Sequence, residues 1–114
     1  MADYKVKHPF GNLETIALTA TGVQAVTISE AVTQIDGVST VATGNRTINL
    51  TIASDIDAGA IIYVSSKTTA TELLTFGTGI TSAVITGVAG KTINQAFMYN
   101  GTAFVATGAI IQID

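Results

Sequence analysis

The sequence predicts an all-β protein, an antiparallel β-sandwich or a small jelly-roll-like barrel with short glycine turns. Hydrophobic residues recur at every second position in most segments, which is the spacing of a strand buried on one face. Glycine-containing turns separate these segments at intervals of roughly eight to twelve residues, as in sandwiches and barrels. We therefore expect a single β domain at residues 12–114, preceded by an extended N-terminal arm at residues 1–11.

The predicted strands differ in how strongly their patterns indicate them. Arg46–Ile52 is the clearest, because three aliphatic residues alternate there with threonine and asparagine. Ala60–Ser65 is a continuous apolar run, so we expect a central strand covered on both faces. Glu30–Ile35 fits a short helical turn or a strand equally well. The remaining predicted strands are Thr15–Ala20, Gln24–Ser29, Glu72–Phe76, Ala83–Thr86, Phe97–Tyr99, Ala103–Ala106 and Ala109–Ile113.

Glycine marks the predicted turns between these strands. Asp36-Gly37 is one of them, and Gly87 to Gly90 forms another. The tripeptide Ala-Thr-Gly recurs at residues 20–22, 42–44 and 106–108, each time at the end of a period-two run. Because its intervals are unequal, we interpret it as a reused strand end and do not predict a solenoid.

A predicted hairpin near the C-terminal end carries three of the seven aromatic residues. Asn-Gly between alternating runs is the strongest short-range hairpin signal, and it occurs here as Asn100-Gly101. If these two residues form the loop, Tyr99 pairs with Thr102 and Phe97 pairs with Phe104. Burial in the core is the simpler interpretation of both phenylalanines, and an exposed patch for a partner or a sugar is the other. Tyr99 is accordingly a candidate partner contact.

The composition limits the possible partners. Only 11% of the residues are charged, against about a quarter in an ordinary soluble domain, and the net charge is −3. Five scattered basic residues form no stripe that could neutralise phosphates, so we expect no nucleic-acid partner. Cysteine is absent, which excludes disulfides and thiolate metal sites. A surface with so little charge suggests that other chains cover much of it.

Neither a membrane segment nor a secretory leader is predicted. No apolar run approaches the roughly 18 residues that a spanning helix needs. The first ten residues, MADYKVKHPF, contain no apolar h-region. We therefore expect a protein that is made in a cytoplasm and makes no membrane contact.

The sequence predicts no catalytic residue, no metal site and no cofactor. His8 is the only histidine and lies in the predicted arm, whereas a catalytic imidazole is buried and oriented. Residues 55–59, Asp-Ile-Asp-Ala-Gly, begin like a calcium loop but lack its later ligands, so a tight turn is the better interpretation. A hydrolase would need two carboxylates about 5–9 Å apart in a cleft, which isolated glutamates do not indicate.

The N-terminal arm carries the other candidate partner contacts, which are Tyr4, Lys5, Lys7 and His8. Charged residues alternate here with Tyr4 and Val6 before Pro9 and Gly11 interrupt the pattern. A frayed terminus or an edge strand would explain this segment. An arm that adds as a strand to a neighbouring subunit would explain it equally well.

Three features occur together between residues 50 and 110. They are a D-x-D-x-G turn before an apolar strand, a T-G-x-x-G-K-T stretch at Thr86–Thr92 and an F-x-Y-N-G-T-x-F hairpin at Phe97–Phe104. The T-G-x-x-G-K-T stretch is not a P-loop, because only two residues separate its glycines. In these features the chain resembles small all-β virion proteins of tailed bacteriophages, in particular auxiliary capsid, decoration and head-fibre base proteins.

The resemblance implies a non-enzymatic structural protein on the exterior of the capsid. Such a protein would form a homo-oligomer, with a trimer favoured, and would contact the major capsid protein or other virion proteins. The alternative is a carbohydrate- or receptor-binding β module of a phage fibre. That alternative requires exposed aromatic rings, and its candidates are Tyr63, Tyr99 and Phe104.

Overall fold

The computed structural model describes residues 13–114, so the predicted arm lies outside the described residues. The described residues form eleven strands and no helix, which confirms the all-β prediction. Accordingly, they contain no helix that is long and apolar enough to span a membrane. The strands are β1 Leu13–Ala17, β2 Gly22–Ile28, β3 Val32–Ala42, β4 Arg46–Ile52, β5 Ile61–Thr68, β6 Leu73–Phe76, β7 Ile80–Thr81, β8 Ile85–Thr86, β9 Thr92–Tyr99, β10 Phe104–Ala106 and β11 Ile111–Gln112.

These strands form two sheets. The seven-stranded sheet has the order β1-β3-β5-β9-β10-β7, with β11 also paired to β9. The four-stranded sheet has the order β2-β4-β6-β8. From β1 to β6 the chain therefore changes sheet after every strand and passes through three coils.

This path makes the prediction of an antiparallel fold wrong for the N-terminal half. The pairs β1–β3, β3–β5, β2–β4 and β4–β6 are all parallel. Antiparallel pairing enters only later, in β5–β9, β6–β8, β9–β10 and β9–β11. The physical reason is that every connection from β1 to β6 carries the chain to the other sheet, so each strand lies beside the equivalent strand of the preceding coil and runs parallel to it.

The repeated Ala-Thr-Gly tripeptide marks one corner of the coils. The N–H of Thr43 donates to the carbonyl of Ala20 at 3.0 Å, and the N–H of Thr69 donates to that of Ala42 at 3.1 Å. The first two copies of the tripeptide therefore stack directly on each other. Unequal intervals between the copies spoke against a solenoid, and the structure explains them: the third copy, at residues 106–108, follows the hairpin strand β10 and is not a corner of the coils.

One hydrophobic core receives side chains from both sheets. Phe76 of β6 contacts Phe97 of β9 edge to face, with ring centroids 5.1 Å apart. β5 is central in its sheet as predicted, but it is not covered on both faces. Ile62 and Val64 are buried on its inner face, whereas Tyr63 on its outer face is 49% exposed.

Asp36-Gly37, predicted as a turn between strands, lies within β3 and begins a bulge in that strand. The register of β3 on β5 shifts between Gly37 and Ala42. The carboxylate of Asp36 closes the bulge by accepting the N–H groups of Val38 at 2.8 Å and Ser39 at 3.1 Å. It also accepts the hydroxyl of Ser39. Gly37 is required because a Cβ there would lie 2.6 Å from the carbonyl of Ser65 and 2.9 Å from Arg46.

The side chain of Arg46 reaches from β4 into this bulge and is only 3% exposed. Its Nη2 donates to the carbonyl of Gly37 at 3.1 Å and to the hydroxyl of Ser66 at 2.9 Å. Further bonds go to the carbonyls of Thr19, Thr40 and Lys67. Burial lowers the pKa of the guanidinium, but an arginine keeps its proton at any ordinary pH.

Replacement of Arg46 should destabilise the protein strongly. Arg46→Met keeps the length of the side chain but leaves buried acceptors in the bulge without donors, so we expect a loss of roughly 3 kcal/mol in the free energy of unfolding. Urea denaturation measures this change. Lys91→Met is the matched control, because it removes a positive charge from an exposed side chain and should change stability by less than about 0.5 kcal/mol. Equal losses in the two variants would contradict the role of the bulge contacts.

The bulge should also make stability depend on pH. The hydroxyl of Ser39 and the N–H groups of Val38 and Ser39 lower the pKa of Asp36 in the folded protein. The stabilisation is therefore complete above the ordinary pKa of the carboxyl and is lost as the pH falls through the lower folded value. Urea denaturation between about pH 5 and pH 2 should show a shallower decline for Asp36→Asn and Ser39→Ala than for the wild type. Parallel curves would contradict this assignment.

Candidate interaction surfaces

β9 and β10 form the predicted hairpin, but in a different register. Phe104 lies opposite Tyr99, and Ala106 lies opposite Phe97, so the predicted Phe97–Phe104 pair is wrong. Both phenylalanines are nevertheless fully buried on the inner face. The simpler interpretation of the two rings, burial in the core, is therefore confirmed.

The shift arises because Asn100 precedes the loop instead of forming part of it. Its backbone N–H donates to the carbonyl of Ala103 at 3.0 Å, which leaves Gly101 and Thr102 as the central residues. Gly101 has a φ of +98°, the left-handed conformation that glycine tolerates best. The side-chain oxygen of Asn100 accepts the N–H groups of Thr102 at 2.8 Å and Ala103 at 2.9 Å. Asparagine therefore contributes as a side-chain acceptor, a role that the dipeptide signal does not specify.

Tyr99, the candidate contact within the described residues, packs against the core of its own domain. Its ring lies 5.1 Å from that of Phe104, and its hydroxyl donates to the carbonyl of Gly101 at 3.0 Å. The side chain is partly exposed at the rim of the hairpin. A partner contact by Tyr99 stays a prediction. Such a contact would lie at the rim of the hairpin.

The other four candidate contacts, Tyr4, Lys5, Lys7 and His8, lie outside the described residues. Their proposed role in binding a partner therefore stays a prediction. The described part of the chain begins at Leu13 on β1, which pairs with β3 in the seven-stranded sheet.

An apolar row crosses the outer face of the seven-stranded sheet. Each of five adjacent strands contributes one aliphatic or methionine side chain, and the pairing register places these side chains next to one another. Each alternates with an inward-facing neighbour, so all of them point away from the core. The members are Leu13, Val32, Ile61, Met98 and Val105.

A second row beside the first also contains no charged residue. It consists of Thr15, Gln34, Tyr63 and Ala96. Met98 in the first row is 44% exposed, and Tyr63 in the second is 49% exposed. We call the nine residues of the two rows the outer surface. Sequence reasoning missed it, because it becomes visible only when the strand order and the register are known.

A shallow hollow of about 220 Å³ adjoins the outer surface at Tyr63. Ser65, Asn94 and Ile111 contribute to its lining. The side-chain oxygen of Asn94 is buried and has no hydrogen-bond partner. The hollow therefore offers the exposed ring of Tyr63 to anything bound beside it.

A larger hollow of about 600 Å³ lies where the β4–β5 loop meets the β2–β3 corner. Glu30, Asp55 and Asp57 line it together with backbone. The predicted tight turn is present, with Gly59 at a φ of +102° and its N–H donating to the carbonyl of Tyr99 at 2.8 Å. Among residues 13–114 no group of three or more histidine or carboxylate side chains is arranged to hold a metal ion.

Several other carboxylates stabilise turns and strand ends. The N–H of Ala70 and the hydroxyl of Thr69 lower the pKa of Glu72, and the N–H of Thr92 lowers that of Asp114. Glu14 accepts a hydrogen bond from the hydroxyl of Ser29 at 3.2 Å. These contacts account for the positions of such acidic residues by local structure.

The hairpin register predicts different effects for its two facing rings. Phe104→Ala should lower the free energy of unfolding by roughly 3–5 kcal/mol, because it empties a fully buried site. Tyr99→Phe removes only an exposed hydrogen bond and should cost about 1 kcal/mol or less. Guanidinium denaturation of both variants measures the difference. A loss at position 99 as large as that at position 104 would contradict the described packing.

Comparison with known proteins supplies no relative from which a function could be transferred. No family model matches the chain, and neither a curated protein nor a solved structure matches it. A function therefore has to be inferred from the surfaces of the chain itself.

Proposed function

We propose that this chain is a non-enzymatic structural protein of a phage virion that decorates or cements the capsid. The observation that carries the proposal is the outer surface, on which nine residues of five strands present apolar and uncharged side chains. Contiguous exposed apolar surface is typical of sites where proteins bind each other. The features that the chain shares with small virion proteins supply the class of assembly.

The outer surface has properties suited to a permanent contact. A sheet face is stiff, so covering it orders few additional side chains and costs little conformational entropy. The nine residues of the outer surface carry no charge that would lose water on contact, a loss that is costly without a partner. Tyr63 and Met98 belong to the residue types enriched in interface cores. Both are among its exposed members.

Two kinds of partner follow from the proposal. Copies of the chain associate, with a trimer favoured, and the assembly contacts the major capsid protein or other virion proteins on the capsid exterior. The N-terminal arm with Tyr4, Lys5, Lys7 and His8 supplies further contacts, as does the rim at Tyr99. The proposal includes no cofactor, nucleic acid or membrane.

For the architecture we infer a sandwich of two sheets whose N-terminal half is wound in parallel coils. The support is that both sheets contribute to one core and that Phe76 and Phe97 meet across it. A barrel would require the sheets to join along their edges. The two sheets have separate strand orders in residues 13–114.

The alternative is a carbohydrate- or receptor-binding module of a fibre. One observation favours it, the exposed ring of Tyr63 beside the hollow that Asn94 lines. Of the other two rings it requires, Phe104 is fully buried and Tyr99 faces inward. A single tyrosine is a small platform for a sugar ring, so the structural role is the better-supported proposal.

The proposal predicts a purified protein that is oligomeric and a surface variant that is not. We expect light scattering to give a mass above that of one chain and Met98→Lys to lower it, because a lysine on the outer surface would lose its water. Val88→Lys is the matched control, since Val88 is 43% exposed and lies outside the outer surface. A monomeric wild type, or equal effects of both variants, would contradict self-association through this surface.

Binding to the virion is tested separately. The phage that encodes the chain should carry it at a fixed copy number in purified virions, as measured by quantitative mass spectrometry. Complete absence from virions would overturn the proposal. A glycan array on the purified protein, with Tyr63→Ala as the comparison, tests the alternative.

A further inference from the structure

The loop of the β9–β10 hairpin contains a dipeptide that is chemically labile, Asn100-Gly101. The backbone nitrogen of a glycine can attack the side-chain amide carbon of a preceding asparagine, because no Cβ hinders the approach. Asn100 is exposed, and a Cβ built on Gly101 would meet no atom within 4 Å, so water reaches both residues. No other asparagine of the sequence precedes a glycine. The chain therefore has one position at which this attack is unhindered.

The reaction converts the asparagine into a carboxylic acid in two steps. The nitrogen of Gly101 forms a bond to Cγ of Asn100, and the side-chain nitrogen takes up the proton of the Gly101 N–H and leaves as ammonia. A five-membered succinimide ring remains. Water then opens the ring at one of its two carbonyls, which gives either aspartate or isoaspartate, the isomer whose main chain runs through the side-chain carbon. The reaction needs only water.

The closed loop holds the amide of Asn100 in a different arrangement. Its Oδ1 accepts the N–H groups of Thr102 at 2.8 Å and Ala103 at 2.9 Å. The backbone N–H of Asn100 donates to the carbonyl of Ala103 at 3.0 Å. Closing the ring rotates Cγ toward the nitrogen of Gly101, and this rotation breaks hydrogen bonds that fix the side chain and the backbone of Asn100. The loop therefore has to open before the ring forms.

We propose that Asn100 is a site of spontaneous deamidation, at which the closed hairpin loop suppresses the reaction and local opening permits it. Native proteins open locally with free energies that range from nearly zero to that of global unfolding. Two contacts resist opening at this loop. The rings of Tyr99 and Phe104 lie 5.1 Å apart, and the hydroxyl of Tyr99 donates to the carbonyl of Gly101 at 3.0 Å. The rate of deamidation records how often these contacts open.

The two products fit the loop differently. Aspartate leaves the backbone unchanged, and its carboxylate accepts the same two N–H groups in charge-assisted hydrogen bonds. Isoaspartate lengthens the main chain by one carbon atom at residue 100, so the N–H of this residue and the carbonyl of Ala103 no longer lie opposite each other. We expect the aspartate form to keep the closed loop and the isoaspartate form to lose it.

Peptide mapping by mass spectrometry of the purified wild type measures the reaction at mildly alkaline pH. We expect the folded protein to react at least about tenfold more slowly than the chain unfolded in urea, because only the open loop reacts. A blocked Tyr-Asn-Gly-Thr peptide in both solvents corrects for the effect of urea on the chemistry itself. Equal corrected rates would overturn the proposal, as would a faster reaction in the folded protein or no reaction in the unfolded chain.

Variants of β10 test whether the hairpin controls the rate. Phe104→Leu shortens the buried ring that faces Tyr99 but leaves the dipeptide unchanged, so the folded variant should react severalfold faster than the wild type. Val105→Thr is the matched control, because this side chain is 39% exposed on the same strand and the replacement keeps its shape. An unchanged rate in Phe104→Leu, or an equal increase in both variants, would overturn control by the hairpin.

The consequence of the reaction is tested on its products. Asn100→Asp reproduces the aspartate product and should unfold at the same urea concentration as the wild type at neutral pH. The isoaspartate form, isolated from aged protein, should unfold at a lower urea concentration. Equal stability of the two forms would overturn the proposed closing role of Asn100. These experiments use the isolated chain, so their outcome does not depend on whether the protein binds capsids.

Discussion

The hydrogen bonds of Arg46 connect the two sheets at the corner where the chain crosses between them. The guanidinium lies on β4, but most of its acceptors belong to β3 and β5 in the other sheet. It therefore joins successive coils as well as opposite sheets. Its charge is balanced by several carbonyl dipoles and a hydroxyl, since each of its hydrogen bonds ends on one of these.

The arginine and the bulge require each other. The bulge of β3 turns carbonyls inward, and buried carbonyls without donors would be destabilising. Gly37 leaves the space that the guanidinium occupies, and the carboxylate of Asp36 keeps the bulge closed on its outer side. The bulge also confines the register shift between β3 and β5 to residues beyond Gly37. The register before it stays regular, which is why the apolar residues of five strands align in a row on the outer surface.

Much of the local structure could be predicted from the sequence, and little of the topology could. Alternation located most strands, and Arg46–Ile52 was predicted with its observed bounds. The predicted direction of pairing was wrong for the N-terminal half. A glycine turn that carries the chain to the other sheet has the same composition as one that reverses the chain within a sheet. Asp36-Gly37 has the composition of a turn and lies in a bulge, because a bulge also needs a small residue and a side-chain acceptor. Tyr99 was a candidate contact because the alternation of side chains along its strand does not indicate which face of the strand points to the core.

The distribution of charge suggests how such a protein avoids unlimited association. The outer surface has no charge, whereas Glu30, Asp55 and Asp57 lie together at one end of the coils. Two copies that met through these ends would bring like charges together, and like charges in contact cost several kcal/mol. Contact through the sheet face carries no such penalty. In the assembly that we propose, association is therefore directed to the face, while at a terminal strand such as β2 backbone groups, and not side chains, decide the pairing.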